Sequence, residues 1–234
     1  NKMLEELRAA LDQIRAPGAA RCLVITGAGR GFCAGADLSA VPPPNGGSEI
    51  DAGETLEKNY NPMILALRAL EMPLVAAVNG PCAGAGMSLA LACDIVVAAR
   101  SASFLQAFCN IGLVPDAGST YFLPRLVGRG RAAGLALLGE KIPAETALEW
   151  GMIWKVVDDE ALMAEAGAIA KKLANGPTKG LSLIRQALDK SWSNDLATQL
   201  DVERNAQRIA GRTQDFAEGV AAFLQKRPAR FQGR

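Results

Sequence analysis

The chain has 234 residues, half of them hydrophobic, with 25 Lys and Arg against 24 Asp and Glu, a net charge of +1 and a pI near 7.8. That length suffices for one sizeable core with an appendage, and the balanced charge offers neither a basic field for nucleic acid nor a polybasic patch for a membrane. Histidine is absent, which excludes Ser-His-Asp and Cys-His mechanisms and imidazole metal ligation, so acid/base work near neutral pH falls to a carboxylate, Lys, Tyr or Cys.

In chain order, Met3 to Ile14 places apolar residues at helical spacing (Met3, Leu4, Leu7, Leu11, Ile14), and Pro17-Gly18 ends the helix. Arg21 to Thr26 reads as a buried strand leading through Gly27-Ala28-Gly29-Arg30-Gly31 into a small-residue loop, Phe32-Cys33-Ala34-Gly35-Ala36-Asp37-Leu38. The Pro/Gly run Val41 to Ser48 reads as a mobile surface loop, and an amphipathic helix follows from about Gly53 to Leu70. Pro73 to Val78 is a second strand. It opens into a second small-residue loop, Asn79-Gly80-Pro81-Cys82-Ala83-Gly84-Ala85-Gly86-Met87-Ser88, with a helix over Ala85–Ala92 and a third strand over Ile95–Ala98. Strand, loop and helix in repeated order predict a parallel sheet with ligands at the carboxyl ends of its strands, where both loops lie. After Asp116 the pattern is helical, at about 119–126, 130–138, 144–150, 159–173, 178–190, 196–210 and 213–224, with one strand at Ile153–Val157. The division expected is an α/β core over 1–120 and a helical region with one further strand over 121–234.

The longest apolar stretch, around Leu89 to Ala99, is interrupted by Asp94 and is too short to span a bilayer; no signal-peptide pattern opens the chain. A cytoplasmic protein acting on a small molecule is therefore expected, with no membrane or nucleic-acid partner. The five cysteines are scattered, without a C-x-x-C pair, and predict buried free thiols and no metal site.

Without bulky side chains, backbone N–H groups of the two loops can approach a ligand oxygen and form an oxyanion hole. Gly27-x-Gly29-x-Gly31 is a weak dinucleotide signal, because it is not G-x-G-x-x-G and no helix follows at once. No cofactor is expected from it. Ser88 lies outside any G-x-S-x-G elbow and reads either as a small helix residue beside the sheet or as a polar wall of the site. Asp94 reads as a buried carboxylate tied to backbone or Arg side chains. Asp116, in Ile111-Gly112-Leu113-Val114-Pro115-Asp116-Ala117-Gly118-Ser119, has two readings. Apolar neighbours would raise its pKa toward the range useful for proton transfer, or it would cap the helix starting near Ser119.

These residues resemble the crotonase (enoyl-CoA hydratase/isomerase) superfamily. The matching residues are Gly31 to Leu38, Pro73 to Gly86, Cys93-Asp94, Gly112-Leu113-Val114-Pro115 with Gly118, and Phe223-Leu224-Gln225-Lys226-Arg227. The resemblance implies a spiral of ββα turns with a helical C-terminal region that assembles trimers or hexamers. It also implies an acyl-coenzyme A thioester substrate, coenzyme A being part of that substrate rather than a cofactor. The N–H groups of Ala34 and of the Gly84-Ala85 segment would hold the thioester oxygen, and Cys33, Ala36, Asp37 and Leu38 would line the substrate. At the two positions where hydratases carry glutamates, this chain has Ser88 and Phe108. Asp116 stands where hydratases usually have Gly, and the segment around it resembles the ring-epoxide isomerase branch of phenylacetate degradation. Isomerisation needs only one acid/base, for which Asp116 is expected; Ser88, Phe108, Leu113 and Val114 would leave a dry, roomy pocket, and Lys226 or Arg227 would reach coenzyme A phosphates, including those bound to a neighbouring subunit. The alternatives are a hydratase using another acid, or a non-catalytic acyl-CoA-binding module. The family's first ββ segment, with its N-R-P-x-x-x-N-A-like turn, is not found before Asn1, so either a truncated chain or a sheet completed otherwise is expected.

Overall fold

The computed structural model describes residues 2–16, 18–38 and 51–234. Pro17 and the expected loop at 41–48 lie outside the described residues. Helix α1, Lys2–Ile14, buries Leu4 and Leu11 from the apolar stripe that the spacing predicts. The helix expected over 53–70 is α2, Ala52–Thr55, a π turn over Leu56–Tyr60, and α3, Asn61–Arg68, with Asp51 capping the start through a bond from the Glu54 N–H (3.1 Å).

Strands β1 (Leu23–Thr26), β2 (Leu74–Val78), β4 (Ile95–Ala99) and β7 (Lys155–Val157) form a four-stranded parallel sheet in the order β1-β2-β4-β7. β2 is buried at every residue. A parallel strand with a neighbour at each edge reads as an unbroken apolar run, as Leu74-Val75-Ala76-Ala77-Val78 does. β1 is only half-buried, whereas the sequence suggests a buried strand; it stands at the sheet's edge with a partner on one side. Helix α7, Leu162–Ala174, packs on β1, β2 and β4.

A second sheet does not show in the sequence pattern. β3 (Pro81–Ala83), β5 (Ser103–Leu105) and β6 (Lys141–Pro143) make three strands, parallel between β3 and β5 and antiparallel between β5 and β6. Three-residue strands are too short to display a period of two, and Pro81 and Pro143 read as breakers. β6 and β7 come from the second half of the chain, so both sheets are completed by it.

Helix α4, Ala85–Leu91, is buried along its whole length. Helix α5, Ser119–Leu138, breaks at Gly128 (φ 77°, ψ 161°), which matches the two helices expected on either side of that glycine. Helix α6, Ala144–Glu149, follows β6, and after α7 come α8 (Thr178–Ser191), α9 (Leu196–Ala210) and α10 (Gln214–Leu224). Asp195 and Thr213 cap the last two through the N–H groups of Thr198 and Phe216.

Asp94, just before β4, joins the sheet to these helices. Its Oδ2 accepts from the Leu74 N–H (2.8 Å) and lies 2.6 Å from Arg185 Nε on α8, while its Oδ1 accepts from Arg68 Nη1 (2.9 Å). Arg68 also donates to both carboxylate oxygens of Asp189 on α8 (2.7 and 2.6 Å), and Arg185 Nη1 donates to the Leu70 carbonyl. Removing one member of a largely buried ion-pair network strands its partners without counter-charge. Asp94→Ala should therefore lower the unfolding free energy by about 3 kcal/mol. The readout is the urea midpoint, and a change within 0.5 kcal/mol of zero, about the size of an ordinary surface substitution, would show that the network carries no net stability.

Candidate active site

The glycine-rich exit of β1 is closed on itself. Asn79, at the end of β2, accepts from the Gly27 N–H (3.0 Å) and donates to the carbonyls of Gly29 (3.0 Å) and Gly31 (3.3 Å). Asn79 thus fills the concave side of the segment that resembled a phosphate cradle, and it fixes the point from which the first loop departs. Its role was not visible in the sequence, where Asn79-Gly80 reads as the start of the second small-residue loop.

The two small-residue loops meet at main-chain distance. Phe32 N–H and Cys33 N–H donate to the Pro81 carbonyl (3.1 and 3.3 Å), and Ala83 N–H donates to the Cys33 carbonyl (2.9 Å), so Cys33 and Cys82 pair as a parallel bridge. At Gly86 a Cβ would stand 2.3 Å from the Cys33 carbonyl oxygen and 2.6 Å from the Cys33 Cβ; only glycine lets α4 press this closely against the first loop. Gly84 N–H is already donated to the Leu105 carbonyl (2.9 Å). Of the Gly84-Ala85 segment, this leaves Ala85 N–H, at the first turn of α4 where no intrahelical acceptor exists. Neither Ala85 N–H nor Ala34 N–H has an acceptor among the described residues. Together they are the geometry's candidate donors to a developing oxyanion.

The Asp116 loop is tied down by its main chain and left free at its side chain. Ser119 N–H and Ser88 Oγ both donate to the Asp116 carbonyl at 2.9 Å. Two consecutive residues then take left-handed conformations, Ala117 (φ 49°) and Gly118 (φ 85°), and a Cβ on Gly118 would lie 2.7 Å from the Phe122 ring. A non-glycine residue held left-handed stores strain that persists only where the surroundings enforce it. The capping residue of α5 is Gly118, so the capping reading of Asp116 does not hold. Its Oδ1 is sealed from solvent without a hydrogen-bond partner, and burial pushes its pKa up to about 6.

Of the other expected residues, Cys33 is half-buried and Ala36, Asp37 and Leu38 are exposed along the outer part of the first loop. Phe108 is buried, its Cζ 3.8 Å from where a Gly84 Cβ would stand, so its ring backs the second loop. Leu113 and Val114 are exposed on the way to Asp116. Ser88 is 0 % exposed, so it cannot form a wall; its hydroxyl instead joins α4 to the Asp116 loop. Lys226 stands just beyond α10 in a left-handed turn (φ 52°), with no hydrogen bond or ion pair to the loop residues, while Arg227 is forked to Glu218 (2.6 and 2.8 Å). Tyr60, half-buried at the end of the π turn, was not anticipated; burial foremost, then Asp116 and Cys33, raises the pKa of its phenol.

All five cysteines are free, and among the described residues no cluster of His, Cys, Asp or Glu could hold a metal ion and no helix is long and apolar enough to cross a membrane.

Two main-chain N–H groups without acceptors and a desolvated carboxylate at Asp116 can, in chemical terms, stabilise a developing oxyanion and move a proton. The family model for enoyl-CoA hydratase/isomerase matches residues 1–234, and the chain belongs to that family. It is similar to 1,2-epoxyphenylacetyl-CoA isomerase of Escherichia coli K12, with 52% identity over 234 residues that cover 100% of this chain and 89% of the relative. It is also similar to 2,3-dehydroadipyl-CoA hydratase of the same organism, at 36% identity over 100% of this chain and 89% of the relative. The crystal structure of enoyl-CoA hydratase from Bacillus anthracis superposes with a TM-score of 0.91 at 35% identity, covering 100% of this chain and 89% of that one. The fold is the crotonase α/β fold with a helical C-terminal region.

The raised pKa of Asp116 has a consequence for stability. An unfolded Asp titrates near ~3.9, so below about pH 4 the carboxyl is protonated in both states; between about pH 4 and 6 the unfolded chain releases this proton while the folded chain keeps it, so stability falls across that window and levels off above it. Asp116→Asn should thus be more stable than wild type at pH 7.5 by about 1–2 kcal/mol, a figure reduced from the full linkage value because solvent reaches part of the residue. The gain should vanish below about pH 4. Urea unfolding at the two pH values measures it, and an equal difference at both would rule out the titration as its origin.

Proposed function

We propose that the protein is an acyl-CoA isomerase in which Asp116 carries a proton between two carbons of the acyl group. The observation that carries this reading is the part-buried Asp116 carboxylate, with no partner at Oδ1 and a pKa near 6, on a segment tied by Ser88 to the second of two loops whose Ala34 and Ala85 N–H groups have no acceptor among the described residues. In the first step the Asp116 carboxylate takes the acidic proton, and the C–H electron pair moves into the enolate whose oxygen the two N–H groups receive. In the second, protonated Asp116 returns that proton at another carbon and the carbonyl re-forms. Each preorganised donor is worth about 2.7–4 kcal/mol. Hydration would need a further group to activate water, and the two positions that carry glutamates in hydratases hold Ser88, whose hydroxyl is spent on the Asp116 carbonyl, and Phe108. The similarity to the E. coli epoxyphenylacetyl-CoA isomerase favours a ring-bearing acyl group, for which the sheltering residues are apolar. The five free thiols and the absence of a spanning helix among the described residues are in keeping with a cytoplasmic site of action.

Asp116→Asn should fold and bind acyl-CoA yet lose about 10²–10⁴-fold in rate. On a 3-enoyl-CoA the wild type should accumulate the 2-enoyl isomer with little 3-hydroxyacyl-CoA. Fast hydration of the 2-enoyl form would place the protein among the hydratases, and binding without turnover of any thioester would make it a binding module.

The same reading includes assembly. Phe216, Val220, Phe223 (83% exposed) and Leu224 on α10 rim an apolar depression of about 410 Å³ that also contains Pro177 and Phe231, and Leu196 and Leu200 on α9 are exposed as well. A monomer rarely shows so much contiguous apolar surface, and a trimer or a pair of trimers would cover it. Lys226 at the end of α10 would then be available to coenzyme A phosphates of a neighbouring subunit. Light scattering should report three or six chains; a monomer with full activity at micromolar concentration would reject the assembly.

A further inference from the structure

The five free thiols are not alike. Those of Cys22, Cys93 and Cys109 donate to the Leu23 carbonyl, the Leu89 carbonyl and Asn110 Oδ1, whereas those of Cys33 and Cys82 make no such bond among the described residues. These two are also paired in space. They are the Cα partners of the parallel bridge between the loops, fixed by the bonds from Cys33 N–H to the Pro81 carbonyl (3.3 Å) and from Ala83 N–H to the Cys33 carbonyl (2.9 Å). Partners on neighbouring strands stand about 4.8 Å apart with their side chains on the same face, inside the roughly 4.4–6.8 Å between Cα atoms that a disulfide spans. Glycine at position 86 keeps the space beside Cys33 open, since a Cβ there would lie 2.6 Å from the Cys33 Cβ. Cys33 is half-buried, while Cys82 is 1% exposed and its thiol pKa is raised well above the ordinary value, by burial foremost. Cys33 is therefore the sulfur that a small oxidant reaches, and Cys82 is the thiol behind it.

We infer that Cys33 and Cys82 are a modification site, a dithiol that hydrogen peroxide converts to a reversible disulfide, altering the spacing of the Ala34 and Ala85 N–H groups. The Cys33 thiolate attacks one peroxide oxygen and the O–O bond breaks; the hydroxide that leaves takes up the proton the thiol gave up, and a sulfenic acid remains on Cys33. The Cys82 sulfur then forms the S–S bond and a second water leaves. Over both steps two thiols are oxidised and one peroxide is reduced to two waters. A disulfide needs roughly 3.5–4.5 Å between Cβ atoms, less than the spacing of paired strands, so closing it draws the first loop onto β3. Ala34 follows Cys33 directly and Ala85 stands three residues after Cys82, so the movement falls on both donors. A bond closed by such a displacement is readily reopened by thiol exchange. The pair itself is independent of the proposed reaction, and its effect on turnover rests on the acyl-CoA reading.

The test is a peptide map of the protein after hydrogen peroxide, alkylation and tryptic digestion without reduction. Cleavage after Arg30, Lys58, Arg68 and Arg100 leaves Cys33 alone in peptide 31–58 and puts Cys82 with Cys93 in peptide 69–100. Wild type should yield these two peptides joined, lighter by two hydrogens than their sum, and fragmentation should place the link at Cys82. The link should persist in Cys93→Ser, vanish in Cys82→Ala and open with dithiothreitol, the melting temperature of each variant checking that it folds. Turnover of acyl-CoA by wild type should fall by at least about tenfold in step with the link and return on reduction. Recovery of Cys33 as a sulfinic acid, as an unmodified thiol or linked to Cys93 would overturn the inference, and a Cys33 to Cys82 link that left turnover unchanged would overturn its hold on the donors. If reduced wild type turned over no acyl-CoA, the acyl-CoA reading would fail while the peptide map still decided the pair.

Discussion

The site depends on the approach of α4 to the first loop at Gly86, where the Cys33 carbonyl occupies the space that a side chain would need. Any Cβ there would force the second loop away from the first and separate the Ala34 and Ala85 N–H groups. The remaining contacts hold this approach in place. The main-chain β-bridge between Cys33 and Cys82 sets the height of the first loop on β3, Asn79 fixes where that loop begins, and Leu105 takes the Gly84 N–H while the next one along, Ala85 N–H, has no acceptor among the described residues. An oxyanion seat assembled from main-chain groups costs no reorganisation when charge develops, since its dipoles are set by the fold before a substrate arrives.

Against these closely packed loops, the Asp116 carboxylate is left without a partner at Oδ1. The Asp116 loop has its carbonyl doubly bonded, its next residue strained into a left-handed conformation and its carboxylate Oδ1 buried without a partner. A hydrogen bond or a cation at Oδ1 would stabilise the chain and lower the pKa, making the group a poorer proton carrier near neutrality. Ser88 is the means of having both: it anchors the loop through the carbonyl and leaves the carboxylate alone. At that place a longer side chain could not be accommodated without shifting the loop, because Ser88 is wholly enclosed.

The main sheet was legible because β2 and β4 are apolar runs bounded by turn residues, and the late helices because their spacing is regular and two of them carry side-chain caps at Asp195 and Thr213. The small sheet was not, since pairing in three-residue strands is decided by partners distant in the chain rather than by local pattern. In the site, the two loops and the desolvation of Asp116 could be read from small residues and apolar neighbours. Ser88 could not be settled, because a hydroxyl one turn into a helix reads alike whether it meets a ligand or a carbonyl. The break at residues 56–60 escaped for a geometric reason: a helical period of 3.6 carried through residues 53–70 misplaces every side chain beyond a π turn.

The helical region is joined to the sheet by charge as much as by apolar packing. On α8, Arg185 and Asp189 face inward to Asp94 and Arg68, with Ser182 and Leu183 beside them, while Ile184 and Leu188 face outward. An ion-pair network is directional and fixes how a helix is rotated, whereas apolar packing alone tolerates several rotations of similar energy. Rotation fixed in this way keeps the apolar side of α8 turned outward along with Leu196 and Leu200 of α9. In a chain that burial alone organised, those residues would be drawn toward the core. The outward side of α8 is therefore set by the Asp94 network through the rotation that Arg185 and Asp189 impose on the helix.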